Sequence, residues 1–345
     1  LPEKMRSSVA RTDLWSQIAG VLQSEGRFLI TSHVDPDGDN IGSQLALLSL
    51  LEGLGKKVEV IDPGPVPERY RFLPGWERIL DFGMRNGALS IPDNYEAVFV
   101  LDAGKWDRIE EVATLVSPSA KVVNLDHHES NPGFGSIALV DPEASSTCEL
   151  LYDLLGVLGR NPSREQAICL YTGILTDTGG FRNPNTSPRA LEVAAILIRE
   201  GADPAWIWDQ VWGQQKPVRI LLLGEVLSSL EMAGKGQIGT FTLPREAWQR
   251  IGAKLEESED FISHAMGIRG VRVAVFVREK GDGLIRVSLR SRDGVDVNRI
   301  ARRFGGGGHP QAAGFRVPGS LQEVRRAALA AVAEALEITL EEGVP

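Results

Sequence analysis

Short apolar runs alternate with stretches of helical periodicity through the first half of the chain. RFLITS (27–32) reads as a buried strand. GSQLALLSLLEGLG (42–55) follows with helical spacing and ends at Gly55, where a left-handed cap suits glycine. KVEVID (57–62), AVFVLDA (97–103), KVVNLDHH (121–128) and SIALVD (136–141) are further strand-like runs. This alternation predicts an α/β domain built on a parallel sheet, spanning 12–190. Ser146 stands three residues before Glu149 in SSTCELLYDLLGVLG (145–159), which predicts a capping box at a helix start. Residues 188–232 read as helical throughout, and their Trp206, Trp208 and Trp212 read as packing residues rather than a base-stacking platform. The stretch 191–234 is therefore expected to be a helical connector. From about Gly236 the pattern changes. QIGTFTL, VRVAVFVRE, LIRVSLRSR and AAGFRV read as strands, and VDVNRIARRF and SLQEVRRAALAAVAEALEI as helices. They predict a smaller α+β domain over 235–340.

Composition narrows the class. With 345 residues, 43% hydrophobic and 24% charged, the chain has the make-up of a soluble two-domain protein. No apolar run approaches the roughly 18 residues of a membrane span, and the polar, mixed-charge start is unlike a signal peptide. Cys148 and Cys169 sit in apolar helix-like stretches without metal-ligand spacing, so a reducing cytoplasm is the expected location. The net charge of −9 argues against broad binding to long nucleic acid, but that charge is uneven. Residues 1–234 hold 20 Lys+Arg against 32 Asp+Glu, while Arg286–Arg303 holds six arginines against two aspartates. An anionic ligand held by the second half, near acidic chemistry in the first, is the implied arrangement.

The acidic chemistry gathers where strands end. In an open parallel sheet, ligands bind beyond the carboxyl ends of the strands. His33, Asp35, Asp37 and Asp39 follow the first strand, Asp102 another, and Asp126, His127 and His128 a third. Asp177, in TGILTDTGGF, follows a helix-like segment that would return to the same edge. A lone histidine is more often a satisfied structural residue. Three of the chain's five lie here beside aspartate, which favours chemistry. Converging carboxylates are costly unless protonated or neutralised by a cation. Carboxylate oxygen with imidazole, and no thiolate, suits manganese or magnesium, with iron or cobalt also compatible. Five or six ligands exceed what one substrate-binding ion needs. A pair of ions roughly 3.5–4 Å apart with a bridging carboxylate would use them, and such a pair suits phosphoester hydrolysis.

HVDPDGDNIGS, LDA, LDHHES and TDTGGF, in this order, resemble the motifs of the DHH phosphoesterase superfamily. FGGGGHPQAAGF is similar to the signature of the associated DHHA1 domain. Length and domain pairing most resemble the bifunctional oligoribonuclease/pAp phosphatase (nanoRNase) branch. The resemblance implies an N-terminal DHH domain, the helical connector and a C-terminal DHHA1 domain. It implies hydrolysis of very short RNAs to mononucleotides, and of 3′-phosphoadenosine 5′-phosphate (pAp). His33, Asp37 and Asp102 would hold one divalent ion, most simply Mn2+, with Mg2+ or Co2+ also suitable. Asp39, Asp102, His127 and Asp177 would hold the second. His128 would face the substrate as phosphate contact or proton donor, with Asp126 orienting the histidines. Asp35, before Pro36, is left a turn-forming role, and Gly42 and Ser43 launch the helix behind.

RRFGGGGHPQAAGF (302–315) sits between a predicted helix and a predicted strand, where a slack tether has no use. Consecutive glycines let backbone N–H groups approach a phosphate or base. The resemblance adds the strand SLRS (288–291). Ser288, Arg290, Gly306, Gly307, Gly308 and His309 are thus the expected substrate contacts, with Arg302 and Arg303 equally readable as a solvated helix face. Metals in one lobe and a basic pocket in the other would favour two to five nucleotides over a polymer. The alternatives carried are a cyclic or linear dinucleotide phosphodiesterase and a catalytically silent nucleotide-binding regulator. No obligatory protein partner is evident, and a homodimer is left open.

Overall fold

The computed structural model describes residues 3–84, 94–281 and 283–339. The expected second-domain limit at 340 falls just outside them. The chain divides into two compact units, Leu1–Gln214 and Gln215–Pro345.

In the first unit, helix α1 (Glu3–Leu22) precedes strand β1 (Arg27–Thr31), helix α2 (Gly38–Gly53) and strand β2 (Lys57–Asp62). Strands β3 (Ile79–Asp81), β4 (Tyr95–Leu101), β5 (Lys121–Asp126) and β6 (Ile137–Val140) follow, then helices α3 (Thr147–Val157), α4 (Arg164–Asp177) and α5 (Pro188–Arg199). The six strands form one sheet in the order β3-β2-β1-β4-β5-β6, with every pairing parallel. The expected parallel α/β sheet is found. Strand residues alternate between two cores. Phe28 and Ile30 join the helices on one face, while Leu29 packs with Ile61, Val98 and Val100 on the other. Period-two side-chain alternation with both faces covered is what makes these strands continuously apolar.

The chain runs outward from β1 to β3, then returns to place β4 on the other side of β1. The reversal opens a crevice at the carboxyl ends of β1 and β4. The loops carrying His33–Asp39 and Asp102 leave from those two ends.

Two expectations are modified. Ser146 does cap α3, its hydroxyl accepting from Glu149 N–H, but the Glu149 carboxylate accepts instead from Ser145 N–H and Oγ–H at 3.0 and 2.6 Å. Half of the predicted box therefore forms. The stretch 191–234 is shared between the units. Val193, Leu197, Ile207 and Val211 join the core of the first, whereas Leu222 and Val226, on α7 (Pro217–Ser228), join a core of the second. Before α7 come α6 (Pro204–Trp208) and a π-turn over Asp209–Gly213. The break falls in the polar run Gln214–Lys216, ahead of Pro217 at the first helical position. Of the three tryptophans expected to pack, Trp212 is partly buried against the first core, whereas Trp206 touches Phe72 edge-on at 5.3 Å but is exposed, as is Trp208.

The second unit holds strands β7 (Glu231–Ala233) and β8 (Ile238–Leu243), helices α8 (Arg245–Ile251) and α9 (Ile262–Met266), and strands β9 (Val273–Glu279) and β10 (Leu284–Ser291). Helix α10 (Val297–Arg303), strands β11 (Gly307–His309) and β12 (Ala312–Pro318) and helix α11 (Leu321–Ala335) complete it. The sheet runs β11-β12-β10-β9-β8-β7, parallel only between β8 and β9. One face packs on α10 and α11, and part of the other on α7–α9.

The glycine-rich segment is therefore an edge strand as well as a loop. A Cβ at residue 306 would lie 2.2 Å from Gly314 O, and one at 308 would lie 2.4 Å from Ala312 O. Close strand pairing by itself demands glycine at those two positions.

Candidate metal centre

Local sequence fixes each group. Asp37 caps α2, its Oδ1 accepting from the N–H groups of Asp39 and Asn40, both at 3.0 Å. Asp35 adopts φ 62°, which a short acidic side chain tolerates, and serves the turn. Asp102 also lies in the left-handed region, φ 54°, with its N–H donating to Leu125 O at 2.9 Å. That unusual backbone turns the residue from the end of β4 toward β5, and such strain recurs at functional sites. Asp39 faces the first turn of α3, where the N–H groups of Thr147 and Cys148 donate to its two oxygens at 2.7 and 2.8 Å.

Asp102, only 2% exposed, sits at the centre of these groups. Its Oδ2 is 3.4 Å from His33 Nε2, and its Oδ1 is 3.6 Å from His127 Nε2 and 3.8 Å from His128 Nδ1. His127 Nε2 also faces Asp177 Oδ2 at 3.5 Å and Asp39 Oδ2 at 4.0 Å. Two groups have ligand atoms within 4.8 Å of one another: His33, Asp37 and Asp102, and Asp102, His127 and His128. Asp102 belongs to both.

The electrostatics show a site short of positive charge. Burial, then the carboxylates of Asp39, Asp37, Asp177 and Asp126, push Asp102 well above the carboxylate range. Burial with Asp39 and Asp37 pushes Asp177 up to about 8. His33 points the same way. Its Nδ1 lies 2.7 Å from Val34 O and 3.3 Å from Arg108 Nη2, which leaves Nε2 turned toward the acids. That Nε2 faces Asp102 Oδ2 at 3.4 Å. A cation among these groups offsets the repulsion between the carboxylates, and the oxygen-and-imidazole set suits a hard or borderline divalent ion.

His128 differs from His127. Its Nδ1 is bound to Asp126 Oδ1 at 2.7 Å, leaving Nε2 directed elsewhere. The Asp126 hydrogen bond raises the His128 pKa against the opposing effect of burial. Burial works to raise Asp126, but hydrogen bonds from His128 and Asn131 outweigh it and hold Asp126 low. Asn131 Nδ2 donates to Asp126 Oδ2 at 2.6 Å.

Several neighbours carry no sequence signal that singles them out. Arg108 Nη2 donates to Val34 O at 2.9 Å, and Val34 N–H donates to Arg108 O at 2.9 Å. Arg108 thus clamps the peptide that His33 Nδ1 also approaches. Thr147 Oγ donates to Asp102 Oδ1 at 3.2 Å, and Asn185 Nδ2 to Asp177 Oδ2 at 3.2 Å. Behind α2, Gln44 Nε2 bridges Asn40 Oδ1 and Asp62 Oδ2, both at 2.8 Å, while Asn40 Nδ2 donates to His33 O at 3.1 Å. Only the motif spacing around LDHHES hints at Asn131.

In the second unit, strand register gathers the expected substrate contacts. Arg290 pairs with Ala312, which pairs with His309. Ser288 pairs with Gly314, which pairs with Gly307. Directly opposed residues share a face, so these form two adjacent cross-strand rows with small residues at their centres. Arg303 is ion-paired to Glu334 at 2.8 Å, the structural one of its two readings, while Arg302 is exposed on the same helix.

A model described as the DHH family, N-terminal domain, matches residues 27–174, and a DHHA1 domain model matches 247–337. A Thermus thermophilus protein named bifunctional oligoribonuclease and PAP phosphatase NrnA is 39% identical over 322 residues, covering 92% of this chain and 93% of its own. A Bacillus subtilis protein of the same name is 29% identical, covering 84% and 88%. Among solved structures, an exopolyphosphatase-related protein from Bacteroides fragilis superposes with a TM-score of 0.86 at 30% identity, covering 94% of this chain and 96% of its own. Thermus thermophilus RecJ in complex with Mn2+ reaches 0.54 at 16% identity, covering 96% of this chain and 55% of its own, a likeness of fold alone. Among the described residues no helix is long and apolar enough to cross a membrane.

Proposed function

Because the chain belongs to the DHH family, with a DHHA1 domain following the DHH domain, we propose that it hydrolyses phosphoesters of very short RNA oligonucleotides, releasing mononucleotides, and of pAp. The observation that carries this reading is Asp102, shared by two groups of potential metal ligands and buried among carboxylates that need neutralising. In this reading His33, Asp37 and Asp102 hold one divalent ion, and Asp39, Asp102, His127 and Asp177 a second. Bound there, Mn2+, or Mg2+ or Co2+, supplies an acidified water and Lewis-acid stabilisation of phosphoryl oxygens.

The chain's own residues do the rest. Asp126 holds His128 by Nδ1 and keeps it protonated to higher pH, so that Nε2–H is available to the departing ester oxygen. Ser288, Arg290, His309 and the backbone of Gly306, Gly307 and Gly308 bind the substrate away from the scissile bond. A cytoplasmic location is supported by the two cysteines, both buried and free.

The test is turnover of pAp, a dinucleotide, 5-mers, a 20-mer and cyclic di-AMP with Mn2+ or Mg2+. Preferred hydrolysis of pAp and the shortest RNAs is expected. Binding of pAp and pApA without turnover by metal-replete protein would replace this reading with the regulator. Cyclic di-AMP as the preferred substrate would replace it with a dinucleotide phosphodiesterase.

A further inference from the structure

Arg278, on β9, is a buried cation without an anion. It is 3% exposed, and no carboxylate of the described residues lies within ion-pair distance of it. Its Nη1 donates to Ser258 Oγ at 3.1 Å, its Nη2 to Ser288 Oγ at 2.6 Å, and its Nε has no partner. The guanidinium carbon lies 4.7 Å from the centre of the Phe276 ring. Two carboxylates act on it from farther off, Asp260 and Glu259, and Glu259 is already engaged by Arg286 at 3.3 Å. Burial and then Arg286 hold Arg278 down to about 10. Burying an arginine this way is costly unless a counter-charge arrives.

Ser288 supplies the second observation. Its hydroxyl accepts from Arg278, so its own proton must point elsewhere, and no described residue accepts it. Arg286 and Arg290 flank it two residues away on the same strand, hence on the same face. The paired residue on β12 is Gly314, so no side chain from that position fills the space beside the hydroxyl. A directed O–H donor between two arginines, over a third one buried, is complementary to an oxyanion.

We propose that Arg278 is a positioning residue for phosphoryl recognition in the second unit: it fixes Ser288 as a donor and sets a buried positive charge behind the bound phosphate oxygens. The proposal deepens the functional reading above, on which the substrate role of Ser288 and Arg290 rests. It needs no covalent step. Its chemistry selects a phosphorylated nucleotide over the nucleoside.

The experiment is calorimetric binding of 5′-AMP and adenosine to full-length protein in EDTA, for wild type, R278M, S288A and the double variant. A charge-assisted hydrogen bond lost in R278M should weaken AMP binding by about tenfold or more while leaving adenosine within about twofold. In the S288A background the further loss from R278M should shrink to about threefold or less, because the pair acts as one unit. Melting temperature is the control: metal-free R278M should melt no lower than wild type, since a volume-matched apolar side chain replaces an unpaired buried charge. Wild-type AMP affinity in R278M, an equal loss for adenosine, or full multiplication of the two effects would overturn the assignment. Arg278-dependent AMP binding by wild type that turns over no pApA with metal would sink the hydrolase reading alone.

Discussion

His33 Nε2 faces Asp102 Oδ2 at 3.4 Å. Asp102 presents its other oxygen to His127 Nε2 at 3.6 Å, so one buried carboxyl stands between two imidazoles where a divalent cation would be held. Asp102→Ala is therefore expected to abolish hydrolysis and to lower bound metal. Arg290→Ala is expected to raise KM and leave metal content unchanged. Metal analysis of the purified variants beside a pAp assay checks both. Loss of metal from the Arg290 variant would contradict the assigned division of labour between the two units.

Arg108 acts on the same pair from behind. Its guanidinium and His33 Nδ1 both approach Val34 O, with Arg108 Nη2 3.3 Å from that Nδ1, and its own carbonyl accepts from Val34 N–H. Arg108→Leu keeps the backbone bond and removes the guanidinium. Supporting contacts of this kind typically carry about 10- to 100-fold in metal affinity or activity. A weakening of about tenfold in the metal dependence of hydrolysis is expected, with the melting temperature of the metal-free protein nearly unchanged. An unaltered metal titration would show that the Val34 peptide holds His33 in place without the guanidinium.

Most of the first unit was legible because its strands are buried on both faces and read as unbroken apolar runs. The DHH motifs then stand at strand ends, where the topology opens its crevice. Arg108, Thr147, Asn185 and Asp62 were not legible. Each reaches the site through tertiary contact, and nothing in its local sequence separates it from ordinary surface or capping residues. The glycines of 306–308 have a second reason that the sequence does not show. Their run suggested backbone approach to a ligand, whereas at 306 and 308 the neighbouring strand already excludes a side chain. In the second unit the row Arg290–Ala312–His309 depends on register, which a single strand does not reveal.

Stability should also report the buried acids. Burial pushes Asp62 up to about 7 against the Gln44 hydrogen bond, and Asp62 Oδ1 and Gln44 Oε1 both lack partners. A proton on Asp62 converts one of these orphan acceptors into a donor. A carboxyl raised in the folded chain favours folding fully below its unfolded pKa, and this advantage is lost as pH rises through the folded value. Metal-free protein is thus expected to lose stability from about pH 4 to 7 through Asp62, and on to about 8 through Asp177. Asp62→Asn cannot ionise, so its stability relative to wild type should rise by roughly 3 kcal/mol between pH 5 and 7, at 1.36 kcal/mol per unit. Urea melts across that range measure it. Mn2+ should flatten the Asp177 part and leave the Asp62 part. A pH-independent difference between Asp62→Asn and wild type would mean that Asp62 is already ionised at pH 5.

His128 and Asp126 set the remaining pH dependence, that of catalysis. His128 Nδ1 donates to Asp126 Oδ1, which also accepts from His127 N–H at 2.8 Å, and Asn131 holds the other oxygen. A general acid must be protonated to act, and Asp126 raises the pH to which His128 stays so. Asp126→Asn replaces the carboxylate by a neutral amide, so the imidazolium loses its counter-charge. The alkaline limb of the kcat profile should therefore move to lower pH by about one unit or more, the scale of a lost charge-assisted hydrogen bond. Substrates separate this from a structural effect. With a leaving group that needs no proton, such as p-nitrophenolate, the Asp126→Asn deficit should shrink. An equal deficit for the activated and natural substrates would remove His128 from the proton-donating role and leave it as a phosphate contact.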